Sequence, residues 1–364
     1  MARSSMQISA FEIPTSSPET DGTLGWDKTT LVTCELTSGD VTGFGYTYAD
    51  ISTAQFVRAH LASIVLAADP LAVGATFTQM EVAVRNLGRE GVAATAISAI
   101  DMAAWDLKAR LMGTSLVDLL GARRRKVDAY YSGGFTSYSH RELHDSFAER
   151  KREGFPRFKM KIGRESDMLD RVRVAREAIG NDAELFVDAN GAYDRKRALE
   201  VAEAIARFDV RWFEEPVSSD DLDGLAFLRE RAPAKMSIAA GEYGYTARYF
   251  NRMLASGAVD VLQADATRCG VTGFLRAAAL CEARSVPLSA HCGPSIHAHL
   301  GCVPPTMVHV EYFHDHIRIE GELFDGAVVA KEGRLEPARN IKGLGLALRR
   351  SAADRYRIYD ETVS

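Results

Sequence analysis

Two lysines stand two residues apart in the stretch Phe158–Ile162, which reads FKMKI. Apolar Phe158, Met160 and Ile162 alternate with Lys159 and Lys161, and in a β-strand residues two apart share a face. Two ammonium groups on one face repel each other and lose solvation if buried. An exposed edge strand tolerates such a pair, because lysine there blunts unwanted pairing. The other solution is a site that supplies counter-charge, and the rest of the chain offers one. Further short apolar runs end in ionisable groups: Asp188 in VDANG, Glu214 in FEEP, Glu242 in AAGEY, Asp265 in LQAD, His291 in SAHC and Glu311 in VHVEYF. Each alone has an ordinary role as a cap, a surface carboxylate or a core histidine.

Together they make coherent chemistry. Asp188, Glu214 and Glu242 come from three successive runs, and three converging carboxylates need a counter-charge. A hard divalent cation with oxygen ligands meets that need. Mg²⁺, which keeps positions open for substrate oxygens and water, suits the set better than Zn²⁺, which more often takes His or Cys. Glu215 alternates to the opposite face and is expected outside the ligand set. Lys161, beside another cation and near a metal, is expected to lose its proton readily and act as a base, while Lys159 stays charged and holds a substrate oxyanion. Asp265, accepting a hydrogen bond from the far imidazole nitrogen, would fix the tautomer of His291 and raise its basicity. Two acid/base groups around one metal-held carboxylate suit removal or delivery of the adjacent proton. General base catalysis contributes roughly 10²–10⁴-fold; the charges of the metal and Lys159 must supply the larger share.

The elements that would position these groups are legible as a rhythm. From Val127 the runs VDAYYS, FKMKI, ELFVDAN, VRWFEEP, MSIAAGE, VDVLQAD, VPLSAHC and VHVEYF recur at nearly even spacing. Amphipathic stretches such as DMLDRVRVAREAIG and RKRALEVAEAIARF lie between most of them. This α/β pattern predicts a (β/α)8 TIM-like barrel, whose active site lies at the C-terminal ends of its strands. An open doubly wound sheet shares the local alternation but fits the count and length less well. Ahead of the barrel lies an α+β unit. MQISAFEI, KTTLVTCELTSG and DVTGFGYTYA read as strands, and AISAIDMAAWDLKARLMG as the clearest helix, ended by Gly113. PTSSPETDGTLGWD reads as a loop. Its Thr15, Ser16, Ser17, Glu19, Thr20 and Asp21 are expected to set specificity, with Tyr46, Tyr48 and Tyr138 as further pocket candidates. From Gly321 onward, with a hairpin in GAVVAKEGRLEP, the chain is expected to pack back on the N-terminal unit. The expected organisation is therefore a capping domain over 1–125, the barrel over 126–320 and a C-terminal segment over 321–364.

Composition excludes other classes. The 364 residues are 46 % hydrophobic and 26 % charged, ordinary for a globular protein, and the net charge of −5 leaves no basic footprint for nucleic acid. No apolar run is long enough to span a membrane, and MARSSMQISAFEIP lacks the apolar core of a signal peptide. The five cysteines, Cys34, Cys269, Cys281, Cys292 and Cys302, include no C-x-x-C pair and suit free thiols in the cytoplasm, with Cys292 a small buried filler. His297, His299, His309, His314 and His316 are not expected to form a second metal site; the first two lie two apart on a helix and do not face each other.

The chain resembles, over nearly its whole length, the mandelate racemase subgroup of the enolase superfamily. AISAIDMAAWDLKARLMGTSLVDLLG resembles the helix linking cap to barrel. KMK resembles the Lys-x-Lys motif, and VDANGAY, FEEP and AAGE the three ligand strands. DATRCGVTG with SAHCGPSIHAHL resembles the Asp–His dyad, and HVEYF the strand-eight glutamate. The resemblance implies a Mg²⁺ enzyme acting on a small carboxylate, with Glu311 hydrogen-bonding the substrate carboxylate as the enediolate forms, and a homo-oligomer, octamer or dimer. Two departures stand out. The muconate-cycloisomerase and dipeptide-epimerase branch places a lysine where Asp265 stands. The family's Pro-Gly-Leu-Gly reads Lys342-Gly343-Leu344-Gly345 here, which is expected to be structural. After proton abstraction such enzymes diverge. Dehydration of an acid sugar to a 2-keto-3-deoxy acid, a lyase reaction, is the expectation; racemisation, epimerisation and cycloisomerisation are the alternatives. A Schiff-base aldolase using Lys161, or a non-catalytic metal scaffold, accounts for fewer of these residues.

Overall fold

The structure, a computed structural model, describes residues 4–164 and 166–364. Three antiparallel strands open the chain: β1 (Ser4–Thr20), β2 (Gly25–Ser38) and β3 (Val41–Tyr48). Alternation along β1 buries both faces. Met6, Ile8 and Ala10 pack with Val57, Phe77 and Ile97 of the cap helices, whereas Phe11 and Ile13 belong to the barrel-side core. A fourth strand, Arg357–Val363, pairs antiparallel with the other edge of β1.

The stretch expected to be a loop is mostly strand. Pairing runs to Pro14 opposite Lys28, breaks, and resumes with Glu19 opposite Trp26 and Thr20 opposite Gly25. Pro14 and Pro18 have no N–H to give to a ladder, so Thr15–Pro18 bulge outward and the hairpin re-forms beyond them. The true loop is 21–24. Asp21 holds it closed, its Oδ1 accepting from the backbone N–H of Thr23 and of Leu24 at 2.6 Å each.

The helix Val92–Leu111 is buried along most of its length because the cap sheet lies on one side and the barrel helix Ala266–Arg284 on the other. Its alanines meet β3 where glycine leaves room: a Cβ at Gly43 would come 2.3 Å from the Ala103 carbonyl, and one at Gly45 2.2 Å from that of Ala99. Asp106 on this helix ties three parts together. It accepts from the backbone N–H of Phe44 at 2.7 Å and of Leu344 at 2.6 Å, and from Arg110 Nε at 2.7 Å. Gly343 has φ 72°, and a Cβ there would lie 1.9 Å from Asp106 Oδ1. Glycine is required at that point, which accounts for the Lys342–Gly345 motif as packing.

Eight parallel strands then close a barrel: β4 (Val127–Gly133), β5 (Arg157–Lys161), β6 (Glu184–Asp188), β7 (Val210–Glu214), β8 (Ser237–Ala240), β9 (Val261–Ala264), β10 (Leu288–Ala290) and β11 (Met307–Phe313). β11 pairs with β4, with Val310 opposite Ala129, and helices cover the outside. Tyr130, Phe186, Trp212 and His309 fill the interior as a layer of rings, so the barrel is packed below its mouth. The C-terminal segment divides. Arg334–Leu335 pairs antiparallel with β4 at Asp128 and Val127, so the hairpin in GAVVAKEGRLEP docks on the barrel, while Arg357–Val363 completes the cap sheet. Among the described residues no helix is long and apolar enough to cross a membrane.

Candidate active site

Strand register assembles the first charges. Lys161 lies opposite Asp188, and Asp188 opposite Glu214, so β5, β6 and β7 bring these residues into one row at the barrel mouth. Lys161 Nζ is 2.5 Å from Asp188 Oδ2. Lys159, one inward position deeper, has its ammonium 2.6 Å from Glu214, 2.9 Å from Glu311 and 3.5 Å from Asp188, and sits over the Tyr130 ring. Glu242 arrives by a different device. β8 stops at Ala240, and Gly241, with φ 129°, passes so close to Gln263 that a Cβ would lie 2.3 Å from its carbonyl oxygen. Oxygens of Asp188, Glu214 and Glu242 then lie within 4.8 Å of one another, all buried.

This cluster fits a divalent cation. Among the described residues, six buried carboxylates (Asp188, Glu214, Glu215, Glu242, Asp265 and Glu311) face the permanent cations Lys159, Lys161 and Arg268. Oε1 of Glu215 is a buried acceptor without a hydrogen-bond partner, and Oε2 of Glu242 faces the His291 ring at 3.1 Å. Burial, followed by the charge of Asp188, pushes the Glu214 carboxyl up to about 8. The donors of the triad are all oxygen, which suits a hard ion such as Mg²⁺.

The lysine chemistry differs from expectation. Burial works against the Lys161 ammonium, and Lys159 adds to that, but the Asp188 carboxylate outweighs both and raises the pKa of Lys161. Lys159 is held charged in the same way by Glu214 and Glu311 against its burial. Glu311 is in turn held ionised by Lys159, against its own burial, and its Oε2 accepts from the backbone N–H of Cys292 at 3.0 Å.

The dyad forms across β9 and β10. His291 Nδ1 is 2.9 Å from Asp265 Oδ2. The other oxygen of Asp265 accepts from the backbone and hydroxyl of Thr267 at 2.7 and 2.8 Å, capping the helix Ala266–Arg284. Burial opposes the Asp265 charge, but the hydrogen bond from His291 and its charge hold the carboxyl at about 2. Nε2 of His291 faces inward, 3.1 Å from Glu242 and 3.7 Å from Glu311. Burial opposes protonation of this ring, and the Cys292, Glu242 and Glu311 groups outweigh it.

Asn190, Glu215 and Cys292, just beyond the ends of β6, β7 and β10, have φ of 47°, 39° and 50°. Non-glycine residues adopt this region at a cost of about 1–2 kcal/mol each. Strict alternation therefore stops at Glu214. Glu215 does not leave the site; burial and the nearby charges of Glu242 and Asp188 push its carboxyl up.

A cavity of about 230 Å³ opens over these groups and is lined by Lys161, Glu242, His291 and Glu311. From the cap, Asp21, Leu24, Trp26 and Tyr48 reach it. Ser16 and Ser17 do not line this cavity; they stand exposed in the proline-bounded bulge. Tyr46 is buried against Glu320, and Tyr138 packs edge-on to Phe135, so of the three tyrosines only Tyr48 lines the cavity. His297 serves the backbone, with its ring nitrogens against Cys292 O and Ala266 N–H. Arg268 escaped the sequence reading. Its guanidinium donates to the Glu242 carbonyl at 2.8 Å, lies 3.4 Å from the Glu242 carboxylate and covers Tyr243. Its signal was its place three residues after Asp265, on the same helical face.

Glu19 seals the cap to the barrel. Its Oε2 accepts from Trp26 Nε1 at 3.0 Å, its Oε1 has no partner, and Asp315 and Arg318 lie nearby. Burial, then Asp315, pushes this carboxyl from 4.5 up to about 8. As pH rises from about 4.5 towards 8, the unfolded chain releases this proton before the folded one does, so the protein loses stability over that window. Glu19→Gln is expected to remove this loss. In thermal melts its advantage over wild type should grow between pH 5 and pH 8; a pH-independent difference would show that Glu19 does not retain the proton.

Comparison with known proteins gives matches to two family models. Residues 10–121 match "Mandelate racemase / muconate lactonizing enzyme, N-terminal domain", and residues 142–352 match "Enolase C-terminal domain-like". The chain is 31 % identical over 330 residues to L-talarate/galactarate dehydratase of Salmonella typhimurium, covering 88 % of this chain and 81 % of that protein. A mandelate racemase/muconate lactonizing enzyme-like protein from Rubrobacter xylanophilus superposes with a TM-score of 0.95 at 48 % identity, over 97 % of this chain and 98 % of that one. A racemase from Streptomyces coelicolor with bound magnesium superposes with a TM-score of 0.91 at 28 % identity, over 97 % and 99 %.

Proposed function

The chain belongs to the mandelate racemase/muconate lactonizing enzyme family of the enolase superfamily, and from that premise we propose that it is a Mg²⁺-dependent acid-sugar dehydratase. The carrying observation is that Lys161 and the Asp265-backed His291 line one cavity above the Asp188, Glu214 and Glu242 carboxylates. Those three carboxylates would hold Mg²⁺. When bound, the ion supplies positive charge against the negative charge that grows on the substrate carboxylate, and it competes with Lys161 for Asp188. Lys159, kept charged between Glu214 and Glu311, places a second positive charge there. Lys161, neutral once Asp188 no longer holds its proton, takes the proton α to the carboxylate. His291 gives its Nε2 proton to the β-hydroxyl as the carbon–oxygen bond breaks, because hydroxide is a poor leaving group. Water leaves, and the enol product tautomerises to the 2-keto-3-deoxy acid. Glu311 positions Lys159 and the turn at Cys292.

One observation favours epimerisation as the second reading. The cap presents apolar Leu24 and Trp26 to the cavity beside Asp21, rather than a row of hydroxyls. The two are separated by incubating mono- and diacid sugars with enzyme and Mg²⁺ in D₂O, scoring keto product and α-deuterium independently. Keto product from at least one sugar acid is expected. Inversion of a 2-substituted acid with solvent exchange, and no keto product from any sugar, would replace the dehydratase reading with the epimerase one.

A further inference from the structure

Three donors of different kinds meet beside the triad. With φ 50°, Cys292 places its Sγ 3.2 Å from Nε2 of the preceding His291 and 3.5 Å from Glu311 Oε2. Nε2 and that oxygen are 3.7 Å apart. A tetrahedral ion with Zn–N and Zn–O bonds of about 2.0–2.1 Å and a Zn–S bond of about 2.3 Å spaces its ligands by roughly 3.3–3.7 Å. We propose that His291, Cys292 and Glu311 form a second metal site, adjoining the Mg²⁺ triad through Glu242, that takes a borderline-soft cation such as Zn²⁺.

The surroundings match what such a site needs. Asp265 fixes the imidazole through Nδ1, the carboxylate–histidine–metal arrangement that points the Nε2 lone pair at an ion. Glu311 is oriented by Lys159 and by the Cys292 N–H. The fourth position also has a donor. Glu242 Oε2, buried, lies 3.1 Å from Nε2, and its carboxylate would bridge the two sites. A set of nitrogen, sulfur and oxygen donors selects Zn²⁺ over Mg²⁺, whereas the all-oxygen triad does the opposite. On binding, the thiol gives its proton to solvent and the sulfur bonds as thiolate; any proton on Nε2 leaves likewise. The occupied site withdraws Nε2 from proton transfer, so Zn²⁺ inhibits where Mg²⁺ activates. The inhibition rests on the role proposed for His291; the binding does not.

The test keeps Mg²⁺ in excess to fill the triad and titrates the intact enzyme with Co²⁺ as a visible stand-in for Zn²⁺. One equivalent is expected, with a sulfur-to-cobalt charge-transfer band in the near ultraviolet. Cys292→Ser should abolish the band, while Cys302→Ser, which alters a buried thiol outside this cluster, should keep it. Absence of the band in wild type, or its survival in Cys292→Ser, overturns the site. As a check that needs no variant, Zn²⁺ should slow alkylation of Cys292, read by peptide mapping, at least tenfold; unchanged labelling overturns it equally. Binding without inhibition upholds the site and rejects the proton-transfer role of His291.

Discussion

Lys161→Ala is expected to lower turnover by about 10²–10⁴-fold with the fold retained, and His291→Asn to do the same. Each side chain borders the cavity, and each has a carboxylate partner that outlasts it, Asp188 at 2.5 Å and Asp265 at 2.9 Å. Circular dichroism and melting must therefore accompany the rates. The two losses should differ in kind. If Lys161 takes the α-proton, Lys161→Ala stops both deuterium exchange and product formation. His291→Asn should still exchange the α-proton while failing to expel the hydroxyl. The opposite pattern would exchange the roles of the two residues. Near-wild-type turnover in both variants would sink the two-base mechanism.

The second large effect concerns the ion. Chelation with EDTA should abolish turnover and Mg²⁺ restore it, because the charge at the triad is worth several kcal/mol in the transition state, about 10³-fold or more in rate. Glu214→Gln removes one of three ligands and leaves Lys159, 2.6 Å away, with fewer counter-charges. Bound Mg²⁺, measured on the protein at equilibrium, should fall from one per chain to well below one, and turnover with it. Full activity in stringently metal-free protein would remove the foundation of the mechanism.

Much of this site was legible because Lys159, Lys161, Asp188 and Glu214 lie inside strands, where the period of two is strict and register converts sequence positions into neighbours. Beyond the strand ends Glu242, Asp265 and His291 were legible as residue types, but not the backbone that aims them. Glu242, Glu215 and Cys292 depend on backbone turns at Gly241, Glu215 and Cys292, and alternation says nothing about these. The hairpin over the mouth read as a loop because two prolines hide a ladder that resumes after them. The protonation preference of Lys161 turned on a 2.5 Å approach to Asp188, a distance that no spacing rule contains. Arg268 and the docking of Arg334–Leu335 on β4 are tertiary facts, set by which surfaces meet.

The pairing of Met6 with Val363 dictates an order of assembly. Gln7 and Asp360, hydrogen-bonded side by side, are 353 residues apart in the chain. During synthesis β1, β2 and β3 emerge before the barrel, yet one edge of β1 has no partner until Arg357 and the residues after it have been made. An open edge is a template for wrong pairing, so the nascent chain carries this hazard throughout translation of the barrel. Closing so long a loop costs little more entropy than closing a short one, since the penalty grows only as about (3/2)RT ln n; the burden is one of time. The same β1 runs on to Glu19 and Thr20 above the cavity. Its edge is thus secured only after the barrel beneath it has been synthesised, and a settled cavity roof should follow the barrel rather than precede it.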